Sequence, residues 1–365
     1  MPAIGPRIAV VGYAQTPMVR QSEQAEVKLV QDVVIAALKN AGVQRSEVGF
    51  TCSGSCDYLS GGTFTFVANL DAVGAWPPIH ESHVEMDGAW AFYEAWVRLQ
   101  HGDIDTALVF GSGKSSTGDL NSVMPLQMDP YYLATLGADP ITLAALQARA
   151  VLDAGDATER DFADAAARSR TSAEANPYAQ VKGSAGADAL LSQSYVRNPL
   201  RASDLPPISD GAVAVVLATE EKARQLAAAG GFTAAWITGI DHRIEPHYPG
   251  VRDLTTSPST RKAADVAGLA SGPIEVAELS AQFSHQEGIL TRSLGLDAST
   301  EINPSGGALA ANPIMATGLV RIAEAAKQIR ENGRRRVLAH ATSGPLLQQN
   351  LVAILESAQS EGSAQ

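Results

Sequence analysis

Residues Ser82–Gly102 read SHVEMDGAWAFYEAWVRLQHG, and this stretch carries the strand-to-helix join from which the fold can be inferred. It predicts a short strand, a tight Asp-Gly join and a long helix that begins at Gly88. Two carboxylates, Glu85 and Asp87, lie at the join, where a strand-to-helix enzyme commonly places its nucleophile. A carboxylate oxygen is a poor nucleophile toward acyl groups. The stretch therefore indicates an enzyme-like turn with residues unsuited to acyl transfer.

The composition excludes several classes of protein. The net charge of -12 over 365 residues argues against a nucleic-acid ligand. No apolar run approaches the roughly 20 residues of a membrane span, and the N-terminal segment lacks the basic-then-apolar layout of a signal peptide. The cysteines, Cys52 and Cys56, form neither a metal quartet nor a disulfide framework. We therefore expect a cytoplasmic protein with no membrane span.

The second half of the chain repeats the pattern of the first. AAWITGI mirrors RIAVVGYA, RRVLAHATSG mirrors TALVFGSG, and QNLVAILES mirrors GAVAVVLAT. Short β-branched strands alternate with amphipathic helices in both halves, which favours parallel sheets covered by helices. The sequence thus predicts an α/β protein of two pseudo-repeated βαβαβαββ halves in a layered α-β-α-β-α sandwich, rather than one unbroken sheet.

The predicted domain boundaries follow this repeat. Residues 1–220 form the N-terminal half, and residues 221–356 form the C-terminal half. A loop-rich region at about 114–200 interrupts the first half and is expected to be a large insertion that covers the sheet ends. The small, polar residues 357–365 are expected to be a flexible tail.

Several longer stretches resemble a known family. SDGAVAVVLA (Ser209–Ala218) and NPSGGALAANPIMATGLVRI (Asn303–Ile322) are similar to blocks of the thiolase-like superfamily. GFTCSGSCDYLSG, ESHVEMDGAW and LAHATSGPLLQQNLVAILE resemble the actinobacterial lipid-transfer-protein branch of sterol-carrier-type thiolases. The resemblance covers essentially the whole chain. It implies a thiolase-like fold and a place in steroid side-chain degradation, such as that of cholesterol.

The positions that carry catalysis in thiolases differ here. By the resemblance, Glu85 replaces the nucleophilic cysteine, and Asn312 in Ala-Asn-Pro replaces the histidine of Gly-His-Pro. Ser343 lies in Thr-Ser-Gly where thiolases have Cys-x-Gly, and Ser280 begins the segment that matches their oxyanion-binding motif. Acyl transfer needs a thiolate and a base that lowers the cost of forming it. We expect that this chain is not a working thiolase.

Retro-aldol chemistry requires no covalent intermediate. Relatives in the lipid-transfer branch resemble aldolases that cleave a β-hydroxyacyl-CoA, which needs a base for the hydroxyl and donors for the enolate. The tyrosines of the catalytic relatives are missing from this chain, which makes activity on its own doubtful. The catalytic candidates are His285, Glu85 and Asp87. The candidate substrate-binding donors are Asn312 and Ser343.

Each candidate also has a purely structural interpretation. Asp87 is well placed to cap the helix that begins at Gly88. His285 opens a predicted helix and suits a cap or a core position, and His340 suits a core histidine bonded across the interface between the halves. Asn303 suits a turn. His83, Glu85 and Asp87 alternate along one strand face, but the further ligands of a zinc site do not follow, so we expect no metal.

The functional hypothesis is a lyase subunit. The chain would be the thiolase-fold subunit of a heteromeric steroid side-chain aldolase, with a coenzyme A thioester as substrate and no cofactor. Its partners would be a thiolase-like paralogue, in a heterodimer or heterotetramer, and an OB-fold (DUF35-type) protein. The aromatic helix from Gly88 to Gln100 would supply core contacts or partner contacts. The alternatives are a non-enzymatic acyl-CoA or sterol carrier and an active acyltransferase.

Overall fold

The computed structural model describes residues 5–357. The strands are β1 (Ile8–Gln15), β2 (Phe50–Gly54), β3 (Glu81–Val84), β4 (Thr106–Lys114), β5 (Tyr195–Arg197), β6 (Leu200–Arg201), β7 (Asp210–Thr219), β8 (Ala235–Ile244), β9 (Val276–Glu278), β10 (Glu301–Ile302), β11 (Arg336–Ser343) and β12 (Gln349–Glu356). The α-helices are α1 (Glu26–Ala41), α2 (Asp57–Ser60), α3 (Leu70–Val73), α4 (Gly88–Leu99), α5 (Leu120–Val123), α6 (Pro140–Asp153), α7 (Glu159–Ala173), α8 (Ala187–Leu191), α9 (Glu220–Gly230), α10 (Pro258–Val266), α11 (Ser284–Leu294) and α12 (Thr317–Arg330).

The ends of the chain lie outside this description. The expected flexible tail, residues 357–365, is described only at its first residue, and the N-terminal segment is described from residue 5 onward. None of the described helices combines the length and the hydropathy needed to cross a membrane. The cytoplasmic location stays a prediction.

The order of the strands confirms the repeat read from the sequence. The first half has the order β1-β7-β4-β2-β3, and the second half has the matching order β8-β12-β11-β9-β10. In each half, the first and last strands pair antiparallel and the inner crossover strands pair parallel. The α/β class and the thiolase-like arrangement expected from the sequence are therefore confirmed.

The two half-sheets are joined at one edge, which the sequence did not predict. Residues Ile8–Val10 of β1 pair antiparallel with Ala235–Ile237 of β8, so the ten strands form one continuous hydrogen-bonded order. The first strand of each half would otherwise leave its backbone groups unpaired at a sheet edge. The predicted repeat is thus confirmed, and its two half-sheets also form the unbroken sheet that the sequence pattern disfavoured.

Side chains that point to alternate faces along each strand reveal the layers of the fold. Ile8 and Val10 of β1 point into a central cluster with α4 and α12, whereas Ala9 and Val11 point to an outer cluster with α1. In the second half, alternate residues of β11 and β12 divide in the same way between the central cluster and an outer cluster with α10 and α11. Helices α4 and α12 therefore form the middle layer of an α-β-α-β-α stack.

The region expected as an insertion carries helices α6 and α7. Both pack against α11, on the outer side of the second half. Residues Met128 and Leu143 of this region form a small buried cluster with Leu346, which lies in the turn between β11 and β12. The insertion is thus anchored to the loop that follows β11, beside the carboxyl ends of the parallel strands.

One buried carboxylate connects the two helices of the middle layer. Asp87 caps α4 by accepting a hydrogen bond from the N–H of Ala89 at 2.9 Å. It also accepts from the N–H groups of Gly318, at 2.9 Å, and Leu319, at 3.1 Å, in the first turn of α12. A Cβ at Gly318 would lie 2.5 Å from the Cβ of Ala341 and 2.6 Å from the Asp87 carboxylate. Glycine is therefore required where the helices meet.

We predict that replacing Asp87 destabilises the protein strongly. D87A leaves three buried N–H groups without an acceptor, and each costs about 1 kcal/mol or more, so the free energy of unfolding should fall by at least about 3 kcal/mol. D87N keeps one oxygen acceptor and should lose less. Urea denaturation of the purified variants measures both effects.

The control for this prediction is the exposed cap of α7. Thr158 accepts from the N–H of Asp161 in a capping box, so T158A should cost only about 1 kcal/mol. Equal losses in D87A and T158A would contradict the role of Asp87 as a shared cap.

Candidate functional site

A cavity of about 310 Å³ lies at the carboxyl ends of β3 and β11. Its walls come from the turn after β3, the segment after β8, the start of α11, the β11–β12 turn and the loop-rich region at about 114–200. The lining residues used below are Glu85, Gln127, His247, Gln282, Thr342 and Ser343, and the apolar wall includes Met124, Met128, Leu143 and Leu346. Its volume is at the small end of the range for ligand sites.

Glu85 is the candidate catalytic residue that the structure places in this cavity. Its side chain is exposed, and one carboxylate oxygen accepts a hydrogen bond from the N–H of Asp57 at the start of α2. Cys56 lies next to it, buried, and its sulfur accepts a hydrogen bond from Gln127 at 3.3 Å. Burial, with a smaller contribution from the charge of Glu85, raises the pKa of the Cys56 thiol. This thiol is held protonated behind the wall, and neither cysteine lines the cavity.

Asp87 does not reach the cavity. It is 4% exposed, and its carboxylate is engaged by three backbone N–H groups. Burial raises its pKa, and the three hydrogen bonds oppose that shift. The capping interpretation considered for Asp87 is therefore the one that the structure shows.

His285 is also placed away from the cavity. It lies in the first turn of α11, 2% exposed, between the rings of Phe162 and Phe283. Its Nε2 pairs with the Oε1 of Gln147 at 3.1 Å. Burial lowers the pKa of His285 to about 3, which keeps the ring neutral. Phe283 lines the cavity, but His285 itself faces α6 and α7.

Of the remaining predicted site residues, one lines the cavity and two do not. Ser343 is half-buried and lines the cavity beside Thr342. Asn312 does not; its Oδ1 accepts from the hydroxyl of Thr317 at 2.9 Å, inside the first turn of α12. Ser280 is 1% exposed, and its hydroxyl has no hydrogen-bond partner among the described residues. The structure therefore brings together Glu85 and Ser343, and separates both from the other candidates.

The core position considered for His340 and the turn considered for Asn303 are both found, but the bond expected for His340 across the interface between the halves is not. His340 is fully buried on β11, and its Nε2 pairs with the Oδ1 of Asn350 on the adjacent strand at 3.0 Å. The partner lies in the same half, not across the interface between the halves. Asn303, at a φ of 49°, accepts a hydrogen bond from the N–H of Leu279 at 2.6 Å and so fixes the turn after β10.

Sequence reasoning missed two features of this region. His247, in the irregular segment after β8, lines the cavity. In the core of the second half, Arg321 of α12 pairs with Glu278 at the end of β9, at 2.9 Å, and both side chains are almost fully buried. Ser305 donates to Glu278 at 2.6 Å and accepts from Arg321 at the same distance. The motif NPSGG contains Ser305, but its ionic partners lie elsewhere in the chain.

No group of histidine, cysteine, aspartate or glutamate side chains in residues 5–357 is arranged to hold a metal ion. The alternating trio at the end of β3 is dispersed: His83 stacks on the ring of Phe66, Glu85 faces the cavity and Asp87 caps the central helices.

The paired halves, the layered order and the turn at the start of α4 define a thiolase-like fold. Known proteins with similar sequences, among them an acetyl-CoA acetyltransferase and a sterol carrier protein 2, are consistent with this fold. The acetyl-CoA acetyltransferase of Methanothermobacter thermautotrophicus is 26% identical over 361 residues, covering 90% of this chain and 93% of that protein. Sterol carrier protein 2 of Gallus gallus is 26% identical over 382 residues, covering 92% of this chain and 69% of that protein. No family model matches the chain.

A solved structure provides the comparison of folds. The Ltp2-ChsH2(DUF35) aldolase superposes with a TM-score of 0.80 and 21% sequence identity, covering 97% of this chain and 98% of that chain. At this identity the likeness concerns the fold alone. The narrower assignment to the actinobacterial steroid branch stays a prediction.

We predict that two buried histidines make the protein sensitive to mild acid. Burial lowers the pKa of His285 from 6.5 to about 3 and that of His340 from 6.5 to about 4. As the pH falls below 6.5, the two histidines take up protons in the unfolded chain before they do so in the folded protein. The stability that the neutral histidines allow is therefore fully present above pH 6.5 and is lost as the pH falls toward their folded-state pKa values. Between pH 7 and pH 5, each histidine should lower the free energy of unfolding by roughly 2 kcal/mol.

The measurement compares urea denaturation at pH 7 and pH 5 in the parent protein, H285Q and H340Q. Burial raises the pKa of Asp87 and so acts in the opposite direction, which is why the difference between variants is decisive. Each variant should show a pH-dependent loss about 2 kcal/mol smaller than the parent. Variants that lose as much stability as the parent would contradict the prediction.

Proposed function

We propose that this chain is the thiolase-fold subunit of a heteromeric aldolase that acts on a steroid β-hydroxyacyl-CoA, and that it supports a catalytic thiolase-like paralogue. The observation that carries the proposal is the chemistry of the cavity. Glu85 and Ser343 line it at the positions that resemble the two thiolase cysteines, and none of its described lining residues offers a thiol.

Acyl transfer through a covalent intermediate is opposed by these residues. Acylation of Glu85 would give a reactive anhydride, and a carboxylate attacks thioesters poorly. The buried Cys56 does not line the cavity, and its pKa is raised rather than lowered, which is the reverse of what a nucleophilic thiol requires. Asn312, at the position of the thiolase base, cannot accept a proton near neutral pH.

Retro-aldol cleavage makes smaller demands. A base removes the proton of the β-hydroxyl, the bond between the α and β carbons breaks, and the electron pair is left on the thioester enolate. The carboxylate of Glu85 is the one acid side chain in the described lining, so it is the candidate base in this subunit. The fold likeness to a solved aldolase supports this reaction class for the complex.

The partners are proposed from the same comparison and from the surface. The name of the solved neighbour includes a DUF35 component, which supports a small OB-fold partner here. Strand β3 lies at the end of the strand order, and the nearby side chains of Tyr58, Phe64 and Trp76 are 56%, 70% and 81% exposed. An exposed edge strand with apolar neighbours suits a paired subunit. In α4, by contrast, Trp90 and Phe92 are buried, which favours core contacts for them.

We predict that the isolated chain forms no covalent acyl adduct and has no thiolase activity. The purified protein is incubated with acetyl-CoA and analysed as an intact protein by mass spectrometry. The same preparation is assayed for retro-aldol cleavage of a steroid β-hydroxyacyl-CoA, alone and mixed with a thiolase-like paralogue from the same source. Turnover is expected in the mixture only, because this cavity lacks the tyrosines of the catalytic relatives.

Each other outcome supports a different function. An acyl adduct on Glu85 or a cysteine would support the acyltransferase alternative. Turnover by the isolated chain would refute the supporting role. Binding of acyl-CoA with no turnover in any mixture would favour the non-enzymatic carrier.

A further inference from the structure

We infer that His247 is the hydrogen-bond donor that positions the carbonyl oxygen of an acyl thioester in the cavity. The inference rests on the proposed function, because it names how the same pocket recognises its acyl-CoA. His247 follows β8, is half-buried and lines the cavity together with Glu85 and Ser343. The two fully buried histidines, His285 and His340, do not line it.

A contact with Asp129, in the loop-rich region, fixes the tautomer of His247. The backbone N–H of Asp129 donates to Nε2 of His247 at 3.1 Å. A backbone amide only donates, so Nε2 must be the unprotonated nitrogen and the ring proton must lie on Nδ1. Among the described residues no group accepts a hydrogen bond from this Nδ1. His247 therefore lines the cavity as the Nδ1–H tautomer, and this N–H has no acceptor among the described residues.

The amide that fixes the ring is itself anchored. The carboxylate of Asp129 accepts from the N–H groups of Tyr131, at 3.1 Å, and Tyr132, at 2.7 Å, which closes a turn. Met128, the preceding residue, is buried in the cluster that joins the insertion to the β11–β12 turn. The ring of Tyr248, the next residue, lies 5.8 Å from that of His247. The position of the His247 ring is thus set by the Asp129 turn and by its own neighbour in the chain.

The charge and the hydrogen-bonding groups of the lining favour a ligand with a neutral oxygen acceptor. Glu85 is the one charged side chain among the described residues of the cavity wall, and it disfavours an anionic group. A cationic group would pair with Glu85 but would leave the N–H of His247 without an acceptor, since a cation donates and Nε2 is already occupied. A neutral oxygen acceptor satisfies the free N–H at no cost in charge. Of the parts of an acyl-CoA that enter a small cavity, the thioester carbonyl is such an acceptor.

The test compares two ligands that differ in one oxygen. Isothermal titration calorimetry measures binding of octanoyl-CoA and of S-octyl-CoA, the thioether that lacks the carbonyl oxygen. The parent protein should bind the thioester about tenfold more tightly, the ratio that one hydrogen bond of about 1.4 kcal/mol provides. H247F should bind both ligands equally, and H247N, whose amide also donates, should keep part of the preference. H101F changes an exposed histidine after α4 and should keep all of it.

The results separate this inference from the function on which it rests. Equal binding of both ligands by the parent, or a full preference in H247F, would overturn the role of His247 while leaving acyl-CoA binding intact. Failure of the parent to bind either ligand would overturn both. Thermal unfolding of each variant confirms that it is folded.

A second readout needs no ligand. Long-range ¹H–¹⁵N spectra of the histidine-labelled protein should show the His247 ring with a protonated Nδ1 and an unprotonated Nε2 at neutral pH, with the signal assigned by its loss in H247N. A protonated Nε2 would overturn the inference.

Discussion

The structure depends on one carboxylate that two helices share. Asp87 ends the first half's strand-to-helix turn, and its oxygens take N–H groups from α4 and from α12, which belongs to the second half. A buried carboxylate is costly unless its oxygens are satisfied, so the amino-terminal turns of both helices must meet at this point. The positive ends of two helix dipoles then face the same charge. The turn that carries Glu85 and the start of α12 are thereby fixed against each other, and the cavity forms beside them.

Most of the fold could be predicted from the sequence because the pattern of apolar residues indicates where the strands and helices lie. The continuous apolar runs in RIAVVGYA and QNLVAILES specify strands buried on both faces, and the long apolar faces of α4 and α12 specify buried helices. The pairing of β1 with β8 could not be predicted in this way. It joins residues more than two hundred positions apart, and nothing in the local pattern of Ile8–Val10 distinguishes an edge strand from a central one. Register between distant edges is settled by packing of the halves, not by either strand alone.

The candidate site was predictable only where a residue type and a turn coincided. Glu85 follows β3 and Ser343 ends β11, the carboxyl ends of these strands converge, and both residues line the cavity. His285 was misleading because it begins a helix, and one sequence does not say which face of that helix meets the insertion; Gln147 and Phe162 occupy that side. His247 lies in a segment without periodicity. Its proximity to the cavity is set by Asp129, which belongs to another part of the chain.

The position of β1 has a consequence for how the protein is made. This strand lies between β7 and β8, so both of its hydrogen-bonding neighbours are synthesised after residue 209. At ribosomal rates of about 5–20 residues per second, an apolar segment near the amino terminus waits roughly 10–40 s for its neighbours. During that interval Ile8, Val10 and Val11 have no sheet to enter, and the nascent polypeptide exposes a strand suited to aggregation. The strand order therefore sets how long this segment remains unpaired during synthesis.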